Sequence, residues 1–251
     1  MKILVTDADG TIVFGDHKIS NLDKKALLKF KQEDPSNLLI MATGRNLNPT
    51  KLILDTSDFY DVYDYFFLSN GAVMFDKEYN VININTLGNE VESICNIFEQ
   101  SYRIDTKDDH YFTHEYYNCI DFTLDNPLLI NDYQDVKDEI VVVSSRCNTQ
   151  EEIDSLSEEI SKLGNFELIQ NKLDLDVQAK GMDKSYAIKK FIELKELKDY
   201  QLFTIGDSFN DVNMLKLTPT SATFNSSPDE IKEAAGYVVN SVGEYINKYI
   251  I

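Results

Sequence analysis

Basic residues are scarce in this chain: 24 lysines and arginines face 43 aspartates and glutamates, a net charge of −19 over 251 residues. That deficit argues against a nucleic-acid partner, whose phosphate backbone needs a basic footprint. Long apolar runs are missing as well. No window approaches the roughly 18 apolar residues of a membrane-spanning helix. The N-terminus enters a strand directly, without the apolar core and cleavage site of a secretory leader. Cysteine is sparse: Cys95, Cys119 and Cys147 are odd in number, widely spaced and without C-x-x-C pairing. They read as reduced, semi-buried thiols rather than a disulfide framework or a zinc site. Internal repeats and low-complexity tracts are absent too. With 43% hydrophobic and 27% charged residues, the composition is that of a globular protein with a sizeable core in one or two domains. A cytoplasmic enzyme, monomeric or weakly self-associating, is the expectation.

The first eighty residues alternate apolar strands (Lys2–Thr6, Leu38–Ala42, Tyr65–Ser69) with a helix near Asn21–Lys31, opened by Ser20 and Asp23 at capping-box spacing. Such alternation indicates βαβ units and a parallel sheet. From about Val81 the texture changes. A helix is predicted over Glu90–Tyr102, then strands at Tyr117–Leu124 and Ile140–Ser144. A second helix is opened by Thr149 and Glu152, and Leu173–Gln178 alternates as a half-exposed strand. After Gly181 the first texture returns: Asp183 can cap a helix through about Leu197, Gln201–Ile205 is an apolar strand, and Ser221–Phe224 leads into Ser227-Pro228-Asp229-Glu230, a helix start. The economical reading is an α/β core, residues 1–81 and 183–251, interrupted by an inserted α+β module at 82–182. The insert carries 21 acidic against 7 basic side chains, most of the chain's net charge.

Polar residues that carry chemistry gather where the apolar strands end, the place where open α/β sheets bind ligands. Asp7-Ala8-Asp9-Gly10-Thr11 follows the first strand. Asp7 and Asp9 share a face in extended chain, and Gly10 lets the backbone turn beside a ligand. One carboxylate can attack while the other trades protons, a division of labour suited to phosphoryl transfer through an aspartyl phosphate. Thr43-Gly44-Arg45 offers a hydroxyl and free amides to a phosphate oxygen. Ser69-Asn70-Gly71 is a similar polar turn. Lys184 supplies a point positive charge at a helix start, although Lys180 lies one turn away. Gly206-Asp207-Ser208-Phe209-Asn210-Asp211 offers hard oxygen donors suited to Mg²⁺. Taken singly, each has an ordinary reading as a turn, a cap or a solvated lysine; the ordered set is what signifies.

That set resembles the haloacid dehalogenase superfamily, and the insert between Thr-Gly-Arg and the lysine is similar to the C2 cap of its Cof-type branch. Ser69-Asn70-Gly71-Ala72 and Asn225 before a helix also match that branch. Departures are Ala8 where leucine is usual, Thr6 before the first aspartate, Ser185 where glycine is frequent and Ser226 where alanine is frequent; none removes a catalytic group. The resemblance implies a Rossmann-like core with an inserted cap, and a Mg²⁺-dependent phosphomonoesterase acting on small phosphorylated metabolites such as sugar phosphates. It implies Asp7 as nucleophile and Asp9 as general acid and base, with Thr43, Gly44, Lys184 and Asn210 around the phosphoryl group. Mg²⁺ would be held by Asp7, the Asp9 carbonyl and Asp207, supported by Asp211. A phosphomutase using the same aspartyl phosphate and a non-catalytic phospho-ligand sensor are the alternatives. Within the cap, Arg146 is the foremost candidate for substrate contact, followed by His110, Tyr111, His114 and Glu115. The acidity of the insert further suggests that monophosphates are preferred to bisphosphates.

Overall fold

The structure, a computed structural model, describes residues 1–15, 18–59, 61–99, 101–119, 128–164, 166–171 and 173–251. Its strands, in chain order, are β1 (Lys2–Thr6), β2 (Leu38–Ala42), β3 (Tyr65–Leu68), β4 (Val73–Asp76), β5 (Val81–Ile84), β6 (Arg103–Asp105), β7 (His110–Phe112), β8 (Leu128–Leu129), β9 (Val142–Arg146), β10 (Phe166–Asn171), β11 (Asp174–Ala179), β12 (Gln201–Ile205), β13 (Ala222–Phe224) and β14 (Tyr237–Val239). The larger helices are α1 (Asn21–Glu33), α2 (Leu47–Ser57), α3 (Val91–Ile97), α4 (His114–Cys119), α5 (Gln150–Leu163) and α6 (Lys184–Leu194). By its contacts the chain divides into two units, one of Met1–Asn83 with Asp183–Ile251, the other of Ile84–Met182. No described helix is long and apolar enough to cross a membrane.

The first unit holds an eight-stranded sheet ordered β14-β13-β12-β1-β2-β3-β4-β5. From β14 to β3 the neighbours are parallel, and β4 runs antiparallel to β3. β1 lies centrally, with Lys2 opposite Gln201 on one side and Ile3 opposite Leu38 on the other. Continuous apolar runs suit strands covered on both faces. α6 covers one face: its Ala187, Ile188 and Phe191 pack with Ile3, Val5, Phe67 and Met74. Asp183 caps this helix, accepting a hydrogen bond from Tyr186 N at 2.7 Å. The parallel order sets the ends of β1, β2, β3 and β12, and the polar residues that follow them, on one edge of the sheet.

In the second unit the sheet order is β10-β11-β9-β6-β7-β8. Ile94 and Cys95 of α3 and Ile153 and Ile160 of α5 pack on Ile104, Val143, Leu175 and Val177 to form its core. Three expectations change here. The helix expected over Glu90–Tyr102 stops at Ile97, and Glu99 turns left-handed at φ 54°. Tyr117–Cys119, expected as strand, close α4; the remainder of that expected strand lies outside the described residues. The polar side of β11 is not exposed: Asp176 and Gln178 are buried. Arg103 Nη2 reaches Asp176 at 3.2 Å and pairs bidentately with Asp105 at 2.8 and 3.1 Å, so Asp176 is met by charge instead of water, while Gln178 Nε2 donates to Met182 O.

Burial acts to raise the Asp105 carboxyl, but the Arg103 guanidinium and His110, whose Nδ1 lies 2.6 Å away, outweigh it and hold it down to about 2. A depressed pKa stabilises the fold above the unfolded value of about 4 and is lost as the pH falls through 2. At about 1.4 kcal/mol per unit, roughly 2 kcal/mol is at stake. Thermal unfolding at pH 7 and pH 2.5 should show a smaller difference in Tm for Asp105→Asn than for the native chain, together with a lower Tm at pH 7.

Candidate active site

At the end of β1, Asp7 is buried and its Oδ1 accepts a hydrogen bond from Lys184 Nζ at 2.7 Å. Lys184 has no solvent exposure at all (0%). Its other close partner is Asp211 Oδ1, at 2.6 Å. Burial disfavours the ammonium, yet Asp211 and Asp7 more than compensate and raise its pKa above the ordinary lysine value. Lys180, the alternative one turn earlier, pairs instead with Glu167 in the second unit, 3.5 Å away. Asp211 spends its second oxygen on the backbone N–H groups of Asp207 and Ser208, both at 3.0 Å. It therefore braces the loop as well as the lysine.

Asp207 accepts from Thr11 Oγ1 at 3.1 Å. Two glycines make room for these carboxylates. A Cβ on Gly10, which has φ +81°, would stand 2.3 Å from Asp207 Oδ2, and one on Gly206 would stand 2.4 Å from Asp211 Cγ. Carboxylate oxygens of Asp7, Asp207 and Asp211 come within 4.8 Å of one another. Asp7 Oδ2 is buried with no hydrogen-bond partner. Burial pushes the Asp7 carboxyl up, to about 8, against the lowering pull of Lys184. An orphaned carboxylate oxygen among hard oxygen donors, with three aspartates against one lysine, fits a divalent cation such as Mg²⁺.

The loop after β2 supplies the next groups. Thr43 is buried, and its Oγ1 accepts from Arg45 N at 3.2 Å, leaving its own O–H to donate. Asp9 stands apart from Asp7, Asp207 and Asp211, with its side chain 50% exposed. Arg45 grips both of its oxygens, Nε to Oδ2 and Nη2 to Oδ1, each at 2.6 Å. Sequence reasoning gave Arg45 and Thr11 no role, although both belong to the motifs that were read. Their function lies in side-chain direction, which spacing alone does not reveal. Asn210 Nδ2 donates to Asn70 Oδ1 at 3.1 Å, joining the β3 and β12 loops.

The candidates in the second unit separate. Arg146 closes β9 and its Nη1 reaches Asp174 at 3.4 Å. His110 is engaged by Asp105, and Tyr111 packs against the core of the second unit, so neither is a solvated loop residue. His114 and Glu115 are exposed on α4.

The sequence profile of the haloacid dehalogenase-like hydrolases matches residues 4–244. Bacillus subtilis (strain 168) has a relative, 5-amino-6-(5-phospho-D-ribitylamino)uracil phosphatase YcsE, that is 21% identical over 242 residues, 96% of this chain and 90% of its own length. Among solved structures, a haloacid dehalogenase-like hydrolase from B. subtilis shares the fold with a TM-score of 0.83 at 16% identity, over 100% of both chains. The HAD subclass IIB sugar phosphatase BT4131 does so with a TM-score of 0.76 at 21% identity, over 97% of this chain and 95% of its own. This chain therefore belongs to the haloacid dehalogenase-like hydrolases. The Cof-type resemblance read from the motifs stands, and the protein is an enzyme, a hydrolase.

Because Gly10 leaves space that the Asp207 carboxylate fills, Gly10→Ala should displace that carboxylate and weaken cation binding. Mg²⁺ is expected to raise the Tm of the native chain and to leave that of Gly10→Ala nearly unmoved, as read by differential scanning fluorimetry. The same increment should grow from pH 6 to pH 8, since a carboxyl raised to about 8 must lose its proton to ligate.

Proposed function

We propose that this hydrolase is a Mg²⁺-dependent phosphomonoesterase of the cytoplasm, acting on small phosphorylated metabolites, sugar phosphates foremost. The observation that carries the reading is the buried Asp7, held at one oxygen by Lys184 and unpartnered at the other. Asp7 attacks the phosphorus in line, the ester P–O bond breaks, and an aspartyl phosphate forms. Asp9 gives the leaving oxygen its proton, then takes one from the water that hydrolyses the intermediate. Arg45 holds the Asp9 carboxylate in place between these steps. Thr43 and the Gly44 amide hold phosphoryl oxygens, and Lys184 offsets their charge. Asp7, Asp207 and the Asp9 carbonyl would hold Mg²⁺, which supplies the charge neutralisation that lets a phosphate dianion approach a carboxylate.

The relatives' names support a phosphorylated sugar or polyol as the substrate, since one acts on a phosphoribityl compound and another is a sugar phosphatase. The second unit is proposed as the cap that reads the leaving group, with Arg146 contributing. Its acid excess favours monophosphates over bisphosphates.

Phosphate release from a panel of sugar phosphates, nucleotides and pyridoxal phosphate is expected with Mg²⁺ and lost with EDTA. Fructose 6-phosphate should be turned over faster than fructose 1,6-bisphosphate. Asp7→Asn should abolish release with the fold intact. Asp9→Asn should slow it by about 10²–10⁴-fold while keeping the Mg²⁺-induced rise in Tm. Esters that bind without any release would overturn the phosphatase reading in favour of a mutase or a sensor.

A further inference from the structure

The turn after β3 contains three consecutive left-handed residues, Ser69 at φ 49°, Asn70 at φ 51° and Gly71 at φ 94°. Such backbone persists only where its surroundings over-determine it, and here they do. Ser69 N donates to Arg45 O at 2.8 Å and Asn70 N to Thr43 O at 2.9 Å, so the carbonyls on both sides of Gly44 are fixed. A Cβ on Gly71 would lie 2.4 Å from Asp183 O, at the cap of the helix that carries Lys184. One turn thus braces the phosphate loop and touches the start of α6.

The Asn70 side chain has more than a bracing position. The residue is only 4% exposed. Its Oδ1 accepts from Asn210 Nδ2 at 3.1 Å, while Asn210 Oδ1 accepts from Ser208 Oγ at 2.5 Å. This relay assigns the orientation of both amides. Asn70 Nδ2 is left with two N–H groups and no hydrogen bond to any described residue. A Cβ on Gly44 would stand 3.4 Å from that nitrogen. An unpartnered amide donor on a buried residue therefore lies over the loop already assigned to the phosphoryl group, beside Asn210.

We propose that Asn70 is a phosphoryl-binding residue whose Nδ2 donates to a non-bridging oxygen of the bound ester. The inference rests on the phosphatase reading above and adds a donor to it. A neutral donor to an anionic oxygen at such a site is worth about 10- to 100-fold in turnover. Two substitutions separate binding from bracing. Asn70→Gly keeps the left-handed backbone and removes the amide. Asn70→Asp tolerates the same backbone and keeps the acceptor for Asn210, but puts an anionic oxygen where the donor stood.

Full-length protein with Mg²⁺ and p-nitrophenyl phosphate supplies the test. Asn70→Gly should lose about 10- to 100-fold in kcat/KM, and Asn70→Asp more than about 100-fold, with thermal unfolding nearly unchanged in both. Calorimetric titration with inorganic phosphate should show at least about tenfold weaker binding to Asn70→Asp. In the native chain, the Asn70 side-chain ¹⁵N–¹H resonances should move on adding inorganic phosphate, a readout that needs no variant to fold. Native-like turnover and phosphate affinity in Asn70→Asp, or unmoved Asn70 resonances in phosphate-bound native protein, would overturn the proposal and leave Asn70 as a loop brace. A native chain that binds phosphate but hydrolyses no ester would overturn the phosphatase reading alone, with the Asn70 contact then judged on phosphate affinity. A native chain that neither turns over esters nor binds phosphate would overturn both.

Discussion

The buried ammonium of Lys184 is the interaction on which the site depends. Removing a cation from water costs several kcal/mol, and only close anions offset it. Asp7 and Asp211 do so at 2.7 and 2.6 Å. The dependence is mutual, because without the lysine two buried carboxylates would face each other with no counter-charge. It also propagates: Asp211, held at one oxygen by Lys184, uses the other to fix the amides of Asp207 and Ser208. Asp207 in turn fills the space Gly10 leaves open. One charge contact orders two loops.

Rigid packing makes that contact dependable. Ala187, Ile188 and Phe191 seat α6 on the sheet, and the Phe191 ring meets Tyr65 and Phe67 with centroids 4.5 and 5.4 Å away. The side chains that hold the helix therefore also set the height of Lys184 above the strand that ends in Asp7. Asp9 follows a different logic. It sits half in solvent, gripped by Arg45, so the group proposed for proton transfer is held by a pair open to water, while Asp7, proposed as the nucleophile, is held by one that is not.

How much of this was legible in the sequence follows from where water goes. Lys2–Thr6 and Leu38–Ala42 are buried strands, and their unbroken apolar runs read correctly to the residue. Asp7, Thr43 and Asp207 follow strand ends and Lys184 opens a helix, and a parallel sheet sets all four on one edge. The polar face of β11 misled: alternation implies solvent, but here a guanidinium from Arg103, far away in sequence, takes its place beside Asp176. Arg45 was visible as a letter and not as a partner of Asp9, since two side chains must point at each other for that. The early end of the helix at Ile97 had no glycine to announce it; Glu99 adopts the left-handed turn itself.

The order of strands also has a consequence in time. β1 is synthesised first, yet its neighbour β12 begins at Gln201, so the central sheet stays open until four-fifths of the chain has left the ribosome. The second unit is continuous from Ile84 to Met182 and can close on its own contacts while the first still waits. Through that interval the strand of Asp7 has one flank unpaired. Long-range closure of this kind is slow and leaves apolar edges open to wrong pairing. The same chain order that gathers Asp7, Lys184 and Asp207 from distant segments leaves the first strand waiting longest for its second neighbour.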